Sequence, residues 1–381
     1  MIHVAAFTGG EDVPSARCRV RQLIPKLIRH DIAMKEWKAA LSCYPPQRKA
    51  LRPFWAIATL GQRIPGIIAS YSADVIFLQR EMLSTFMTLE KFTKQPRVFD
   101  VDDAIWLNRT SQYAGKLAES CDLVICGNEY LAEYFSDWNK NISIIPTPID
   151  TNKFKPTIVD NEILAKVEPI FERRGGGRNF HCGTNFRFLS ESGGILVDST
   201  TDEDDLIIGW MGTSSNIQYI NKIENALCKV MDNFPRARLR IVSDQRPQLR
   251  KIPSTKLEFI QWSPENEVSC IQGLSVGIMP LEDSLWARGK CSYKMLQYLA
   301  CGVPVVVSPV GMNNEVLGQG QCGFGACDER EWVEGLTTLL EDAKLRRQMG
   351  KIGRQVVLDH YSLEALALVL SDCLKRTAKV G

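Results

Sequence analysis

The segment at residues 280–306 reads PLEDSLWARGKCSYKMLQYLACGVPVV, and its pattern predicts a strand end, a charged loop, a helix and a second strand. An apolar run at 276–279 precedes the segment, and a helical pattern covers residues 292–301. Gly302 and Pro304 mark the end of that helix before the apolar run at 303–307. Strands that alternate with helices in this way indicate an α/β fold with a parallel sheet.

The same alternation extends upstream from this segment. Apolar runs predict strands at 206–210, 239–242 and 257–260, and helical patterns cover 216–233 and 266–273. The pattern predicts a doubly wound, Rossmann-like unit in the C-terminal half of the chain.

The N-terminal half repeats the pattern. Its predicted strands are 2–7, 75–78, 98–101, 123–126 and 142–145, and Thr8-Gly9-Gly10 separates the first of them from a predicted helix at 14–30. We expect a second Rossmann-like unit, covered by helices on both faces of its parallel sheet.

Changes in pattern set the expected boundaries. Residues 157–205 lose periodicity and are rich in Gly, Arg, Asn and Asp, which predicts a linker and insertion between domains at 1–156 and 206–360. Residues 361–381 predict a terminal helix that crosses back to the N-terminal domain. The basic, glycine-rich run at 173–178 favours a flexible loop over an RNA-binding segment.

Composition excludes several classes of protein. The chain has 381 residues, a net charge of +2 and 45% hydrophobic residues, which is typical of a soluble globular protein and not of a nucleic-acid binder. Its 12 cysteines include no CxxC pair, so we expect no metal site and a reducing cytosol. The sequence contains no recognisable export signal and no apolar run long enough to span a membrane.

Charge is unevenly distributed along the chain. Residues 1–65 contain eleven Lys or Arg and four Asp or Glu, a local net charge of +7. A solvated helix face explains this excess, and so does attraction to an anionic lipid leaflet or a phosphorylated acceptor. The second explanation predicts a protein attached peripherally to the inner face of a membrane.

The loop at 280–294 predicts an anion site. The free N–H groups of the helix that begins near Ser292 point towards the carboxyl end of the preceding strand, and Arg288, Lys290 and Lys294 add positive charge there. A diphosphate fits this arrangement, and Gln297, one turn further on, is placed to hydrogen-bond a ribose hydroxyl. The alternative interpretation is a solvated basic loop before a core helix.

Several motifs in this half resemble a known family. QYLACGVPVV at 297–306, SPVG at 308–311 and Glu315 resemble the donor-site signature of retaining GT-B glycosyltransferases of the family-4 type. IIPTPIDTNKFKP at 144–156 is similar to the segment between the two domains of that family, and IIGWMG at 207–212 resembles the first strand of its C-terminal domain. The resemblance implies two Rossmann-like domains that face each other across a cleft, with an N-terminal acceptor domain and a C-terminal nucleotide-sugar domain.

The sequence departs from the family pattern at three places. Gly289 and Gln297 occupy the positions of two glutamates that retaining members carry eight residues apart. The usual Arg and Lys pair after the first C-terminal strand is missing, because Gly212 is followed by Thr213 and Ser214. We therefore expect Arg288, Lys290 and Lys294 to meet the phosphate charge, with Thr213, Ser214 and Ser292 as neutral donors and Gly212 and Gly311 as close backbone contacts.

Candidate site residues also follow two strands of the N-terminal unit. Asp102 and Asp103 come after the strand at 98–101, where either carboxylate would accept a proton from an acceptor hydroxyl, bind a sugar hydroxyl or cap a helix. Gly9 and Gly10 are predicted to bring backbone N–H groups close to a phosphate, although they form no full dinucleotide fingerprint.

These observations favour a glycosyltransferase (EC 2.4) that moves a sugar from a nucleoside-diphosphate donor to a glycan or lipid-linked acceptor, with retention implied by the resemblance. The predicted catalytic residues are Asp102, Asp103, Arg288 and Lys294, and no cofactor or metal is expected. A non-catalytic GT-B scaffold and a GT-B sugar-nucleotide epimerase are the alternatives. Donor sugar, base, acceptor and oligomeric state stay open.

Overall fold

The computed structural model describes residues 1–11, 13–41, 45–83, 88–107, 111–157 and 206–379. The predicted insertion, including the basic run at 173–178, therefore lies almost entirely outside the described residues. Two six-stranded sheets, each with parallel strand pairing throughout, confirm the prediction of two doubly wound units. We call each sheet with its packed helices the N-terminal or the C-terminal lobe.

The N-terminal sheet has the strand order β2-β1-β3-β4-β5-β6. Its strands are β1 (Ile2–Thr8), β2 (Ile32–Lys38), β3 (Val75–Gln79), β4 (Arg97–Val101), β5 (Leu123–Cys126) and β6 (Ile142–Ile144). The sequence prediction missed β2, because Lys35, Glu36 and Lys38 interrupt its apolar pattern. An edge strand with one neighbour tolerates such charges.

The C-terminal sheet has the order β12-β11-β10-β7-β8-β9. Its strands are β7 (Leu206–Met211), β8 (Ala237–Ser243), β9 (Leu257–Gln261), β10 (Val276–Met279), β11 (Val305–Val307) and β12 (Gly323–Gly325). Glycine occupies both ends of the short β12, which explains why no apolar run predicted this strand.

The helix predicted at 14–30 is wrong as a single element. The structure has α1 (Pro14–Ala16), a π-helical turn (Arg17–Arg21), α2 (Ile24–Leu27) and a 3₁₀ turn (Ile28–His30). Pro25 lies at the start of α2 and has no N–H to continue a regular helix from the preceding turn. The remaining N-terminal helices are α3 (Arg52–Gly61), α4 (Ile64–Ser70), α5 (Ser111–Glu119) and α6 (Glu129–Phe135).

Eight further helices belong to the C-terminal lobe or follow it. They are α7 (Ile217–Lys222), α8 (Glu224–Asn233), α9 (Glu267–Gln272), α10 (Leu285–Arg288), α11 (Tyr293–Ala300), α12 (Met312–Gly318), α13 (Glu329–Glu341) and α14 (Ala343–His360). The helix predicted at 216–233 is divided at Ile223, whose φ of −102° and ψ of 9° are not helical.

The last helix, α15 (Leu363–Ala378), packs against the N-terminal sheet. Leu366, Leu370 and Leu374 join the buried cluster that contains Val4 and Phe77 of that sheet. The chain therefore crosses from one lobe to the other twice. In the described part of the chain, no helix combines the length and the hydropathy needed to cross a bilayer.

Candidate functional site

Each sheet has one place where the strand order reverses, and parallel α/β sheets bind ligands at the carboxyl ends of the strands there. In the C-terminal sheet this place lies between β7 and β10, so Gly212 and the loop after Met279 border it. In the N-terminal sheet it lies between β1 and β3, next to Gly10 and Arg80. The predicted Gly10, Gly212 and the loop with the predicted cations therefore lie at the two reversal points.

Direct contacts join the two lobes at this edge. The side-chain amide of Asn128, which follows β5, donates hydrogen bonds of 3.2 Å to the carbonyls of both Arg288 and Lys290. Between these two carbonyls, Gly289 packs so tightly that an added Cβ would lie 2.7 Å from Cβ of Ala104. Gly289, one of the two positions without the family glutamate, thus contacts the opposite lobe directly.

Two lysines follow this contact. Nζ of Lys290 lies 5.8 Å from the ring centroid of Trp286, and Nζ of Lys294 lies 5.4 Å from that of Trp210. Both distances are within the range of a cation–π contact. Neither ammonium group forms a hydrogen bond or ion pair with any other described residue. The two lysines are therefore the uncompensated charges of this loop.

Lys294 is in an environment that disfavours its charged form. Burial, together with a smaller contribution from the nearby charge of Lys290, lowers the pKa of the ammonium group from 10.5 to about 8. An anion bound between the two lysines would reverse this shift, because an opposite charge favours the protonated form. The electrostatics of the loop thus match an anionic ligand.

Glycine at 212 makes room for Lys294. A Cβ on Gly212 would lie 2.8 Å from Cε of Lys294 and 2.7 Å from the Trp210 ring. The neighbouring predicted donors are already engaged, since the N–H and hydroxyl of Ser214 both bond Asp244 and the Thr213 hydroxyl bonds Ser215. Ser214 borders a separate cavity of about 700 Å³, whose lining includes neither lysine.

Other predicted residues of the loop have protein partners. Arg288 forms hydrogen bonds of 2.7 and 2.9 Å to Asp283, and about half of its side chain is exposed. The Ser292 hydroxyl contacts Oδ1 of Asn313 at 2.6 Å, and Ser292 has a positive φ of 50° at the start of α11. Both side chains fix the shape of the loop in this structure, and their predicted ligand roles stay predictions.

Gln297 is buried below the loop. Its amide donates a hydrogen bond of 3.1 Å to Glu267, which also forms an ion pair of 2.7 Å with Lys153. The predicted contact of Gln297 with a ribose would have to use the side-chain oxygen or follow a rearrangement. Gly311, with a φ of 54°, packs against the backbone of Arg288, where a Cβ would lie 2.6 Å from the carbonyl oxygen.

The predicted acidic pair of the N-terminal lobe is held by Arg80. The Arg80 guanidinium donates a bond of 2.8 Å to Asp102 and also forms an ion pair with Asp103. Asp102 is nearly buried, whereas Asp103 is 30% exposed and within electrostatic reach of Lys290. Burial raises the pKa of Asp103 despite Arg80. Two carboxylates and a cation therefore lie across the lobe boundary from the loop that carries Lys290 and Lys294.

The turn after β1 lies at the reversal point of the N-terminal sheet. Gly10 has a φ of 132°, and its carbonyl accepts a hydrogen bond from Arg21, which also binds Glu36. Gly9 and Gly10 are buried. In the π-helical turn that follows, Arg17 is close to Glu267 of the opposite lobe, and its Nε is buried without a hydrogen-bond partner among the described residues. Arg21 therefore holds the backbone of this turn, and Arg17 adds a further positive charge nearby.

Sequence reasoning missed four residues of this site. Trp210 and Trp286 flank the two lysines, while Arg80 and Asn128 position groups across the boundary. Arg80 and Asn128 each follow directly or closely after a buried strand, a position from which polar residues reach the edge of a parallel sheet. Their position after a strand was the sequence signal that could have identified Arg80 and Asn128.

Residues 206–342 match the family model described as glycosyl transferases group 1. The C-terminal lobe is thus similar to a group 1 glycosyl transferase domain. The match contains β7, the loop with Lys290 and α11, so it includes the C-terminal residues of the site. No curated protein matches this chain significantly.

Solved structures extend the likeness over both lobes. Sucrose-phosphate synthase from Thermosynechococcus elongatus has a TM-score of 0.65 and 16% identity over 100% of both chains. Anabaena HepE in complex with UDP-glucose has a TM-score of 0.60 and 13% identity over 99% of this chain and 100% of its own. WaaG, a glycosyltransferase involved in lipopolysaccharide biosynthesis, has a TM-score of 0.61 and 11% identity over 97% of this chain and 99% of its own. The fold around the matched residues is GT-B, as the sequence predicted.

Proposed function

We propose that this chain transfers a sugar from a nucleoside-diphosphate donor to a hydroxyl of a glycan or lipid-linked acceptor, with retention at the anomeric carbon. One observation carries the proposal: Lys290 and Lys294 lie at the reversal point of the C-terminal sheet and form no hydrogen bond or ion pair with any described residue. A diphosphate supplies the missing charge. The proposal requires no resident cofactor or metal.

In this proposal the lysines stabilise the leaving group. The bond between the anomeric carbon and the diphosphate oxygen breaks, and negative charge grows on that oxygen beside Lys290 and Lys294. The acceptor oxygen bonds to the same carbon, and its proton passes to the departing diphosphate. Because Arg80 holds Asp102 and Asp103, these carboxylates fit the orientation of an acceptor hydroxyl better than nucleophilic attack.

We propose a uridine diphosphate sugar as the first donor to test, since HepE was solved with UDP-glucose. Donor hydrolysis and transfer would be measured with UDP, GDP and dTDP sugars, and thermal unfolding would be followed with each nucleoside diphosphate. We expect one diphosphate to raise the unfolding temperature and its sugar conjugate to be consumed.

Paired variants make this test specific to the loop. Lys290→Met should abolish most of the stabilisation by the nucleotide, whereas Lys344→Met, an exposed change at the start of α14, should preserve it. Nucleotide binding without turnover of any sugar conjugate would favour the non-catalytic scaffold. Unaltered binding in Lys290→Met would reject the proposed phosphate site.

A further inference from the structure

An apolar surface covers the outer side of α3 and α4. Phe54 and Ile57 on α3 are 73% and 70% exposed, and Ile64 and Ile68 on α4 are 52% and 68% exposed. Spacings of three and four residues place each pair on one face of its helix. Three neighbouring exposed residues, Leu51, Tyr71 and Phe92, extend what we call the α3–α4 face.

Cations predominate around this face. Between Glu36 and Asp74 the sequence contains no acidic residue. Arg48 and Lys49 are exposed immediately before α3, and Lys91 is exposed beside Phe92, with its Nζ 5.1 Å from the ring centroid. The exposed Asp74, three residues after Tyr71, is an anion at one end of the face. An apolar face bordered mainly by cations complements a surface that is apolar inside and anionic outside.

The α3–α4 face is fixed to the sheet edge that carries the site. Arg63, between the two helices, donates hydrogen bonds to the carbonyls of Thr8 at the end of β1 and Trp37 in β2. Gly66 of α4 packs against Phe7 of β1, where a Cβ would lie 2.8 Å from the ring. The face therefore moves with the turn at Gly9 and Gly10 as one unit.

We propose that the α3–α4 face docks onto the surface of a bilayer containing anionic lipids. Short helices with large apolar side chains on one face and cations at the rim lie in the plane of such an interface. The apolar residues enter the acyl boundary, and Arg48, Lys49 and Lys91 contact the headgroups. Because these helices border the N-terminal side of the candidate site, docking presents that side to molecules held in the membrane. The inference depends on this surface and not on sugar transfer.

Co-sedimentation with vesicles tests the proposal directly. The purified chain would be mixed with vesicles of phosphatidylcholine alone or of phosphatidylcholine with phosphatidylglycerol, at low and high salt. We expect strong sedimentation with the anionic vesicles, weak sedimentation with the neutral ones, and a decrease at high salt. Equal partition into both kinds of vesicle, or none into either, would overturn the proposal.

Matched double variants assign the binding to this face. Ile57→Ser with Ile68→Ser should weaken partition into anionic vesicles by at least about tenfold, since both changes remove apolar surface that binding would bury. Leu368→Ser with Val369→Ser changes two exposed apolar residues of α15, 50% and 42% exposed, and should leave partition unchanged. Equal losses in both would show that the α3–α4 face is not the contact.

Two further measurements distinguish the alternatives. Arg48→Glu with Lys49→Glu should weaken binding and flatten its dependence on salt, because these cations contribute the electrostatic attraction. Thermal unfolding and nucleotide binding of each variant should match the original chain, which separates this inference from the proposed function. If the Ile57 and Ile68 changes convert a dimer to a monomer without affecting vesicle binding, the face joins two copies of the chain and the proposal is wrong.

Discussion

The two lobes differ in how the charged residues beside the candidate site are paired. In the N-terminal lobe, Arg19 pairs with Asp100, and Arg80 pairs with Asp102 and Asp103. In the C-terminal lobe, Lys290 and Lys294 have aromatic rings beside them and form no ion pair within the described chain. The charges of these N-terminal pairs are therefore met inside their own lobe, whereas the two lysines would gain an ion pair from an anionic ligand.

This difference separates structural charges from binding charges. A buried ion pair with full hydrogen bonding fixes local geometry, and removing one partner leaves a charge that water cannot reach. An unpaired, partly buried lysine is costly to the free protein and becomes favourable when an anion binds. The same residue types thus have different roles, and four substitutions test the distinction.

Asp100→Ala should have the largest effect on stability. The Arg19 guanidinium donates bonds of 2.8 and 2.5 Å to Asp100, and both residues are almost fully buried. Loss of the carboxylate leaves Arg19 charged and buried, which should lower the free energy of unfolding by about 3–5 kcal/mol. Urea denaturation followed by circular dichroism would measure the change.

The exposed Glu11 provides a matched control for Asp100. Glu11 pairs with Lys38 at the surface of the same lobe, and Glu11→Ala should leave the free energy of unfolding almost unchanged. Similar losses for Asp100→Ala and Glu11→Ala would contradict the structural role of the buried pair.

Lys294→Met should separate binding from stability. A nucleoside diphosphate should bind more weakly by about 1.5–3 kcal/mol, since a charged partner of the phosphate is lost. The free variant should unfold at a higher temperature, because a desolvated charge has been removed. As the pKa of Lys294 is about 8, nucleotide affinity of the original chain should fall as pH rises through that value.

Isothermal titration at several pH values would measure these affinities. The Lys294→Met variant should lose the fall in affinity near pH 8, and Lys344→Met should behave like the original chain. If Lys294→Met lowered both stability and affinity, Lys294 would be a structural charge like Arg19.

Gly289→Ala should disturb the boundary itself. The new Cβ would lie 2.7 Å from Cβ and 2.9 Å from the backbone nitrogen of Ala104, so the lobes or the loop must move. We expect a loss of about 1–3 kcal/mol in the free energy of unfolding, typical of overpacking. Thermal unfolding measures the loss, and small-angle scattering should detect separation of the lobes. Adding Ala104→Gly should recover part of the loss; no recovery would place the strain elsewhere.

Glu315→Gln should have the smallest effect on the free energy of unfolding, and the direction of that effect with pH follows from the pKa of Glu315. Burial, with a contribution from Glu129 of the opposite lobe, raises the pKa of Glu315 from 4.5 to about 7. The folded chain therefore binds this proton more tightly than the unfolded chain, and its free energy of unfolding falls as pH rises from 4.5 to 7.

Glu315→Gln removes that contribution. The difference in free energy of unfolding between the variant and the original chain should shift by about 1 kcal/mol in favour of the variant from acid to neutral pH. This value is reduced because the Glu315 side chain is partly exposed. Urea denaturation at pH 4.5 and pH 7.5 would compare the two proteins. If the free energy of unfolding of the variant exceeded that of the original chain by more at pH 4.5 than at pH 7.5, the raised pKa of Glu315 would be contradicted.

The strands of both sheets were largely predictable because buried parallel strands are continuous apolar runs. β2 was missed, since its charged residues lie on an edge strand, and the helix predicted at 14–30 was wrong because Pro25 interrupts it. In the site, the sequence indicated the anion-binding loop. It did not indicate Arg80 or Asn128, whose partners are 22 and 160 residues away.

The sequence by itself determined the two doubly wound units, the cations at 288, 290 and 294, and the absence of glutamate at 289 and 297. Only the tertiary structure decided which cations are neutralised: Arg288 by Asp283, Arg80 by Asp102 and Asp103, and neither lysine by any described residue. Periodicity records which side of an element is apolar. An ion pair instead depends on separations of a few ångströms between groups that folding brings together, and no local pattern encodes those distances.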